Sequence, residues 1–308
     1  MIARILIVIA WHGLGHCAAL RHGMTDVTEW LSRLNASLAA AVAEHNFARN
    51  APVLVTLADE GYEKFLAPWA YKSGEMGFAQ KFVVALAPST FALCENLSLP
   101  SVLVDTDSLN LSQAESLRAV SASSIPGQVP FAKFGVPYVL LQMGFDSVVL
   151  SEMDVFFFAS PLPMLQDVRS RRGAPVLAMP DEKDILDKWA INIGFMMLGR
   201  GSEPLLLRFL QARWDKRSEA VAVASDQTEF QEIAAQFLAE GTVKIELLDK
   251  RFFAVRPRDI TSKTVVLHLA WSLPECKLEL LESLYQGQPR KVVRQRVLDK
   301  KIITWADC

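Results

Sequence analysis

S-V-V-L-S-E-M-D-V-F-F-F-A-S-P-L-P-M-L, residues 147–165, places two acids between two apolar runs. Val148, Val149 and Leu150 stop abruptly at Glu152 and Asp154; Val155 to Phe158 then resume the apolar character, before Pro161 and Pro163. A carboxylate next to buried apolar chain is costly unless something pairs with it. Residues i and i+2 of a strand point to one side, so both acids can reach one ion at a strand end. Oxygen ligands of this kind suit Mg²⁺ or Mn²⁺, which would bridge to a substrate phosphate. The same three residues also fit a plain strand end with two solvated acids, and acid-x-acid recurs by chance.

Upstream, 52–57 (P-V-L-V-T-L) reads as a buried strand, 60–72 as a helix with Tyr62, Phe65, Leu66 and Trp69 on one face, and 81–86 as a second strand. Ser89 is expected to cap a helix to Asn96, and 102–104 to form a third strand ending at Asp105 and Asp107. This β-α-β-α-β order predicts an α/β fold: a central, mostly parallel sheet flanked by helices. Ligands of such sheets sit beyond the carboxyl ends of the strands, where Ala58, Asp59, Asp105 and Asp107 would lie. Ahead of it, 25–47 carries apolar residues at helical spacing. Residues 133–143 predict a helix closed by Gly144. Downstream, strands are expected at 176–179, 243–248 and 264–269, and helices at 203–214, from Ser225-Asp226 to 238, and at 273–284, with a charged turn at 181–187.

With 308 residues, 51% hydrophobic and 21% charged, the chain can bury a large core. A net charge of −2 provides no basic field for nucleic acid. Cys17, Cys94, Cys276 and Cys308 form no C-x-x-C pair for a zinc knuckle, and a disulfide among them stays open. No G-x-S-x-G elbow, P-loop or H-E-x-x-H occurs, and Gly13-Leu14-Gly15 lacks the third glycine of a dinucleotide fingerprint. The apolar run 5–11 with small residues 17–19 has two readings: a signal-like or membrane-associating N-terminus, or a short buried strand. Three N-x-S sequons (Asn35, Asn96, Asn110) favour a secretory route. The basic stretch 289–301 reads as a solvated helix face, or as a surface for a membrane or an acidic partner.

Six short signals fall in a fixed order: V-T-L-A-D-E-G-Y (55–62), Lys133 ahead of Gly144-Phe145, S-E-M-D with P-L-P-M-L, N-I-G-F-M-M-L (192–198), S-D-Q-T-E-F (225–230) and L-H-L-A-W (267–271). Taken together they resemble the nucleotide-diphospho-sugar transferases of the plant and algal arabinosyl-, xylosyl- and galactosyltransferase type. The resemblance implies a single GT-A-like (Rossmann-like) domain over 51–275, with 1–50 as lead-in and 276–308 as a C-terminal helix and basic tail. It implies transfer of a sugar from a nucleotide donor such as a UDP-sugar to a glycan or glycoprotein acceptor, with retention, usually with Mn²⁺, in the Golgi or secretory lumen.

Residue by residue, Glu152 and Asp154 match the family's D-x-D and would hold the metal, with Glu152 one methylene longer than the usual aspartate. His268 matches a histidine that closes the metal site; on its own it also reads as a core histidine. Asp226 would bind sugar hydroxyls or only cap its helix, and Gln227 would face the reacting carbon. Asn192 would bond the donor sugar while Gly194 admits close backbone approach, and Lys133 would neutralise phosphate. Ala58, Asp59 and Tyr62 match the turn that cradles the nucleoside, where Asn is frequent in place of Asp59; Tyr62 reads equally as core. Trp271 is expected beside the site. Because of Glu152, a catalytically impaired nucleotide-sugar-binding protein on the same scaffold is the alternative.

Overall fold

The computed structural model describes residues 26–104, 129–181, 190–216, 226–270 and 274–288. The elements in chain order are α1 (Val27–Glu44), β1 (Val53–Ala58), α2 (Leu66–Glu75), β2 (Gln80–Ala85), α3 (Pro88–Asn96) and β3 (Ser101–Leu103). There follow α4 (Val129–Gln142), β4 (Ser147–Ser151), β5 (Val155–Phe157), α5 (Leu162–Arg172), β6 (Val176–Pro180) and β7 (Ile191–Gly199). The remainder is α6 (Glu203–Lys216), α7 (Asp226–Glu240), β8 (Ile245–Leu247), β9 (Phe253–Ala254), β10 (Val266–His268) and α8 (Pro274–Tyr285).

Seven strands form one sheet in the order β3-β2-β1-β4-β7-β6-β8. The pairings β2–β3, β1–β2, β1–β4 and β6–β8 are parallel, and β7 alone runs against its neighbours β4 and β6. The expected mostly parallel sheet is therefore present. Its central strands β1, β4, β6 and β7 are buried on both faces, which is why they are rich in apolar residues. Alternate residues go to opposite cores. Val53, Val55, Val148, Leu150, Met196 and Leu198 pack under α1, α4, α6 and α7. Leu54, Val149, Phe195 and Met197 pack with Trp69 of α2, Leu165 of α5 and Leu281 of α8. Each such side chain stabilises the fold by roughly 1.5–3 kcal/mol.

A three-stranded sheet, β5-β10-β9, lies on the second face; β10 runs antiparallel to β5, with His268 opposite Val155. At the helix ends, Asp26 caps α1 by accepting from the Glu29 N–H at 3.0 Å. Gly144, at φ +90°, closes α4 as expected. Other boundaries differ from the sequence expectation. Ala87, not Ser89, caps α3; Pro88 takes the first helical position, for which its fixed φ suits it, and Ser89 Oγ instead donates to Glu60 Oε1 at 3.2 Å. Helix α4 begins at Val129, with Pro130 in its first turn and Pro137 inside it. Among the described residues no helix is long and apolar enough to cross a membrane. The N-terminal run, Asp105, Asp107, Asn110, Trp271 and the basic stretch 289–301 lie outside the described residues.

Candidate active site

Four strands bring their ends to one edge of the sheet. Asp59 follows β1, Glu152 follows β4 and Asp181 follows β6; β7, running the other way, brings Asn192 to the same edge. The two acids of the opening motif are not in a strand. They occupy the turn between β4 and β5, where the Glu152 N–H donates to Gly194 O at 2.8 Å and the Val155 N–H to Glu152 O at 3.1 Å. Their convergence thus comes from the turn rather than from strand alternation. The Leu269 N–H donates to Asp154 O at 3.0 Å, which ties the turn to the end of β10 and sets His268 beside it.

His268 Nε2 lies 3.1 Å from Glu152 Oε2 and 3.2 Å from Asp154 Oδ1. One ligand atom from each of the three residues falls within 4.8 Å of the others. The other ring nitrogen, Nδ1, is 2.7 Å from Asn192 Oδ1, which also accepts the Gly194 N–H at 3.1 Å. That backbone donor fixes the amide orientation, so Nδ1 must carry the proton and Nε2 points a lone pair or a second proton at the carboxylates. Although the distances are those of ion pairs, Nε2 and Asp154 Oδ1 are both buried without a hydrogen bond of acceptable geometry. Three convergent oxygen and imidazole ligands, two of them buried and unsatisfied, fit a divalent cation of the Mn²⁺ or Mg²⁺ kind. Gly194 makes the arrangement possible: a Cβ there would stand 2.1 Å from His268 Cε1.

Cations of the chain surround this group. Lys133, with a side chain only 2% exposed, bonds Glu152 Oε1 and reaches Asp226 Oδ2 at 3.0 Å. Lys277 of α8 lies 2.7 Å from Asp154 Oδ2. Burial opposes charge on both lysines, but Asp226 and Glu152 keep Lys133, and Asp154 keeps Lys277, protonated above the usual range. Burial likewise opposes the carboxylates; Lys133 and His268 hold Glu152 low, and Lys277 and His268 hold Asp154 low. The same carboxylates, Asp154 foremost, outweigh burial at His268 and push its imidazole up to about 9.

Gln227, in the first turn of α7, donates through Nε2 to Asp181 Oδ2 at 2.9 Å, and its Oε1 accepts from Asn192 Nδ2 at 3.3 Å. Asn192 Nδ2 also reaches Asp181 Oδ2 at 3.3 Å. Lys133, Glu152, Asp154, Asn192, Gly194, Asp226, Gln227 and His268 therefore belong to one connected network. Ala58, Asp59 and Tyr62 stand at the neighbouring end of β1 and are not bonded into it. Asp59 accepts the Gly61 N–H at 3.0 Å, and burial raises its pKa. Burial, then the charges of Asp154 and Glu152, raise that of the Tyr62 phenol, which places Tyr62 within electrostatic reach of the acids.

Asp181 and Lys277 belong to the network and had no assigned role in the sequence. Asp181 had a usable signal, its place directly after an apolar strand, but it was read as part of a charged turn. Lys277 had none, standing 123 residues from Asp154 in the chain.

No protein of curated function matches the chain in sequence. Among solved structures, mouse xyloside xylosyltransferase 1 superposes with a TM-score of 0.41 at 12% identity, covering 70% of this chain and 97% of that one. Glycosyltransferase GlyE of Streptococcus pneumoniae gives 0.45 at 12% identity, covering 84% of this chain and 65% of that one. Galactosyltransferase LgtC, solved with donor and acceptor sugar analogs, gives 0.37 at 14% identity, covering 70% and 86%. The profile of the nucleotide-diphospho-sugar transferase family matches residues 80–279, a span that holds β2 through the first half of α8 and every residue of the connected network. On that match, over well more than half of its length and with the expected GT-A-like sheet, the chain belongs to the nucleotide-diphospho-sugar transferase family.

Proposed function

We propose that the protein transfers a sugar from a nucleotide-diphosphate donor, a UDP-sugar, to a hydroxyl of a glycan or glycoprotein, with retention at the anomeric carbon and with a divalent cation. The observation that carries this reading is the linkage of Glu152, Asp154 and His268 through Asn192 to the Gln227 amide. Glu152, Asp154 and His268 would hold Mn²⁺ or Mg²⁺, which supplies positive charge against the donor diphosphate and its departure.

The residues of the chain divide the remaining work. Lys133 holds Glu152 and Asp226 in place as one ion-paired unit. Lys277 adds positive charge on the Asp154 side, where a diphosphate would otherwise meet carboxylates. Asp181 and Asn192 lock the Gln227 amide, leaving the second lone pair of Oε1 to face positive charge that develops on the anomeric carbon. Asn192 and Asp226 offer polar groups to the donor sugar, and the turn at Ala58, Asp59 and Tyr62 receives the nucleoside. In the transfer, the anomeric C–O bond breaks with its electron pair on the diphosphate oxygen. The acceptor oxygen bonds to that carbon on the same face, and its proton goes to the departing diphosphate. Positioning and electrostatics together must lower the barrier by roughly 10 kcal/mol.

One feature favours a second reading, a nucleotide-sugar-binding protein of impaired catalysis: Glu152 stands in place of aspartate and already has Lys133 on one oxygen. Calorimetric titration of UDP with and without Mn²⁺, followed by UDP release from a panel of UDP-sugars, separates the two. Metal-dependent binding with release supports transfer, binding without release supports the second reading, and absence of binding removes both. A secretory location is part of the proposal, since Asn35 and Asn96 are exposed; resistance of the expressed protein to N-glycosidase would count against it.

A further inference from the structure

Beyond Gln227 and Asp181 the charge at the sheet edge changes sign. Residues 249–263, which follow β8 and carry β9, contain Lys250, Arg251, Arg256, Arg258 and Lys263 against Asp249 and Asp259, in a chain whose net charge is −2. A cavity of about 360 Å³ opens there, lined by Lys250, Arg251, Arg258, Asp259, Ile260 and Thr261. It joins the connected network directly: Lys250 Nζ donates to the backbone carbonyl of Asp181 at 2.7 Å. That partner is neutral, so the lysine charge is not cancelled by it. Arg251 pairs with Asp249 through Nε at 3.0 Å to each carboxylate oxygen and through Nη2, so the two charges offset each other, while the guanidinium stays 70% exposed. Arg258 is exposed at the rim. Among the described residues Asp259 is the only acid lining the cavity.

The order of strands says which end of a reaction this cavity serves. Along β1-β4-β7-β6-β8 the edge presents Asp59, then Glu152, then Asn192, then Asp181 with Gln227, then Lys250. At roughly 4.8 Å per strand, β8 stands about 14 Å from β4. Glu152 and Asp154 do not line the basic cavity, whose residues follow β8 while the two acids follow β4. The reacting amide lies between the two, so the basic side is where a second substrate meets the donor sugar.

We propose that the acceptor is an anionic oligosaccharide, its carboxylate, sulfate or phosphate groups held by Lys250, Arg251 and Arg258 in the cavity after β8. This rests on the sugar-transfer reading. Arginine forks match such groups in two-point contacts, and the exposed Thr261 offers a sugar a hydroxyl.

The test uses the full chain and fluorescently labelled hexasaccharides: a uronate oligomer, its carboxyl-reduced neutral counterpart, and sulfated and phosphorylated neutral-backbone oligomers. Affinity is read by anisotropy at 50 and 200 mM salt, with UDP binding measured separately. At least one anionic class binds tenfold or more tighter than its neutral counterpart, weakens at higher salt, and is not displaced by UDP; which class does so identifies the group. Arg258→Glu, on an exposed side chain, lowers the anionic-to-neutral ratio at least fivefold, and the Arg251→Glu/Arg258→Glu pair abolishes it. Equal binding of neutral and anionic oligomers overturns the proposal, as does a ratio unmoved by both variants in protein of unchanged circular dichroism. So does displacement by UDP, or single-stranded nucleic acid bound as tightly as any glycan. With UDP binding intact, such a result removes the acceptor proposal alone; loss of UDP binding in the unaltered chain removes the transfer reading.

Discussion

Gly194 has no side chain, and His268 takes the space. A methyl at position 194 would overlap the imidazole, so Gly194→Ala must move either the ring or β7. Mn²⁺ affinity in this variant is expected to fall at least tenfold, with a loss of about 1–3 kcal/mol in urea unfolding. An unchanged Mn²⁺ titration would show that the ring is not a ligand. His268 also fixes the response to pH. In the metal-free protein its pKa rises from the ordinary 6.5 to about 9. A raised folded-state value means stability that is complete below 6.5 and is lost as pH climbs through 9. Thermal midpoints of metal-free protein between pH 6 and 9.5 should therefore decline over that window. A bound cation must displace the same proton, so Mn²⁺ affinity should rise about tenfold per pH unit in the lower part of the window. Calorimetry in buffers of different ionisation enthalpy should count one proton released per ion; zero would mean that the imidazole stays out of the coordination.

At the scale of elements, α4 and α8 bring cations to acids they do not adjoin in the chain. Lys133 spans from α4 to the turn after β4 and to the start of α7. Lys133→Met would strand two partly buried carboxylates and is expected to cost about 3 kcal/mol in chemical denaturation. A loss below about 1 kcal/mol would show that water already screens them. Lys133 stood out in the sequence only through the family resemblance, and the sequence alone did not show that it is buried between two carboxylates. Lys277 did not stand out at all: its position depends on α8 docking through Leu280, Leu281 and Leu284, and on Tyr285 packing edge-on against Phe156 at 5.2 Å. The helical period of α8 shows an apolar face but not what that face meets. Likewise the acids of the opening motif were legible as a pair, while the turn that aims them was not, since β5 and β10 are three residues each and too short to show a period. The buried strands β1 and β4 announced themselves by apolar runs ending in acids, whereas β7, with Asn192 and Gly194 inside it, read only as an apolar run with a polar head.

For the molecule as a whole, the site is a junction. The β4–β5 turn, β7, β10, α4, α7 and α8 all contribute side chains, and both cores press on the sheet that carries them. Ligands that bind only the assembled edge should then stabilise the whole domain. At a concentration 100 times its Kd, UDP with Mn²⁺ should add about 2.7 kcal/mol to unfolding and raise the thermal midpoint by several degrees. UDP binding with no change in midpoint would mean that the nucleotide sits on a part that opens independently. The connection between β6 and β7 carries a consequence for anyone redesigning sugar preference. Its two stems hold Asp181 and Asn192, and both grip the same glutamine amide. A segment of another length at 182–189 that shifts either anchor is therefore expected to disturb the Gln227 amide. A graft that keeps both anchors in register is the variant with a chance of altering choice without silencing turnover.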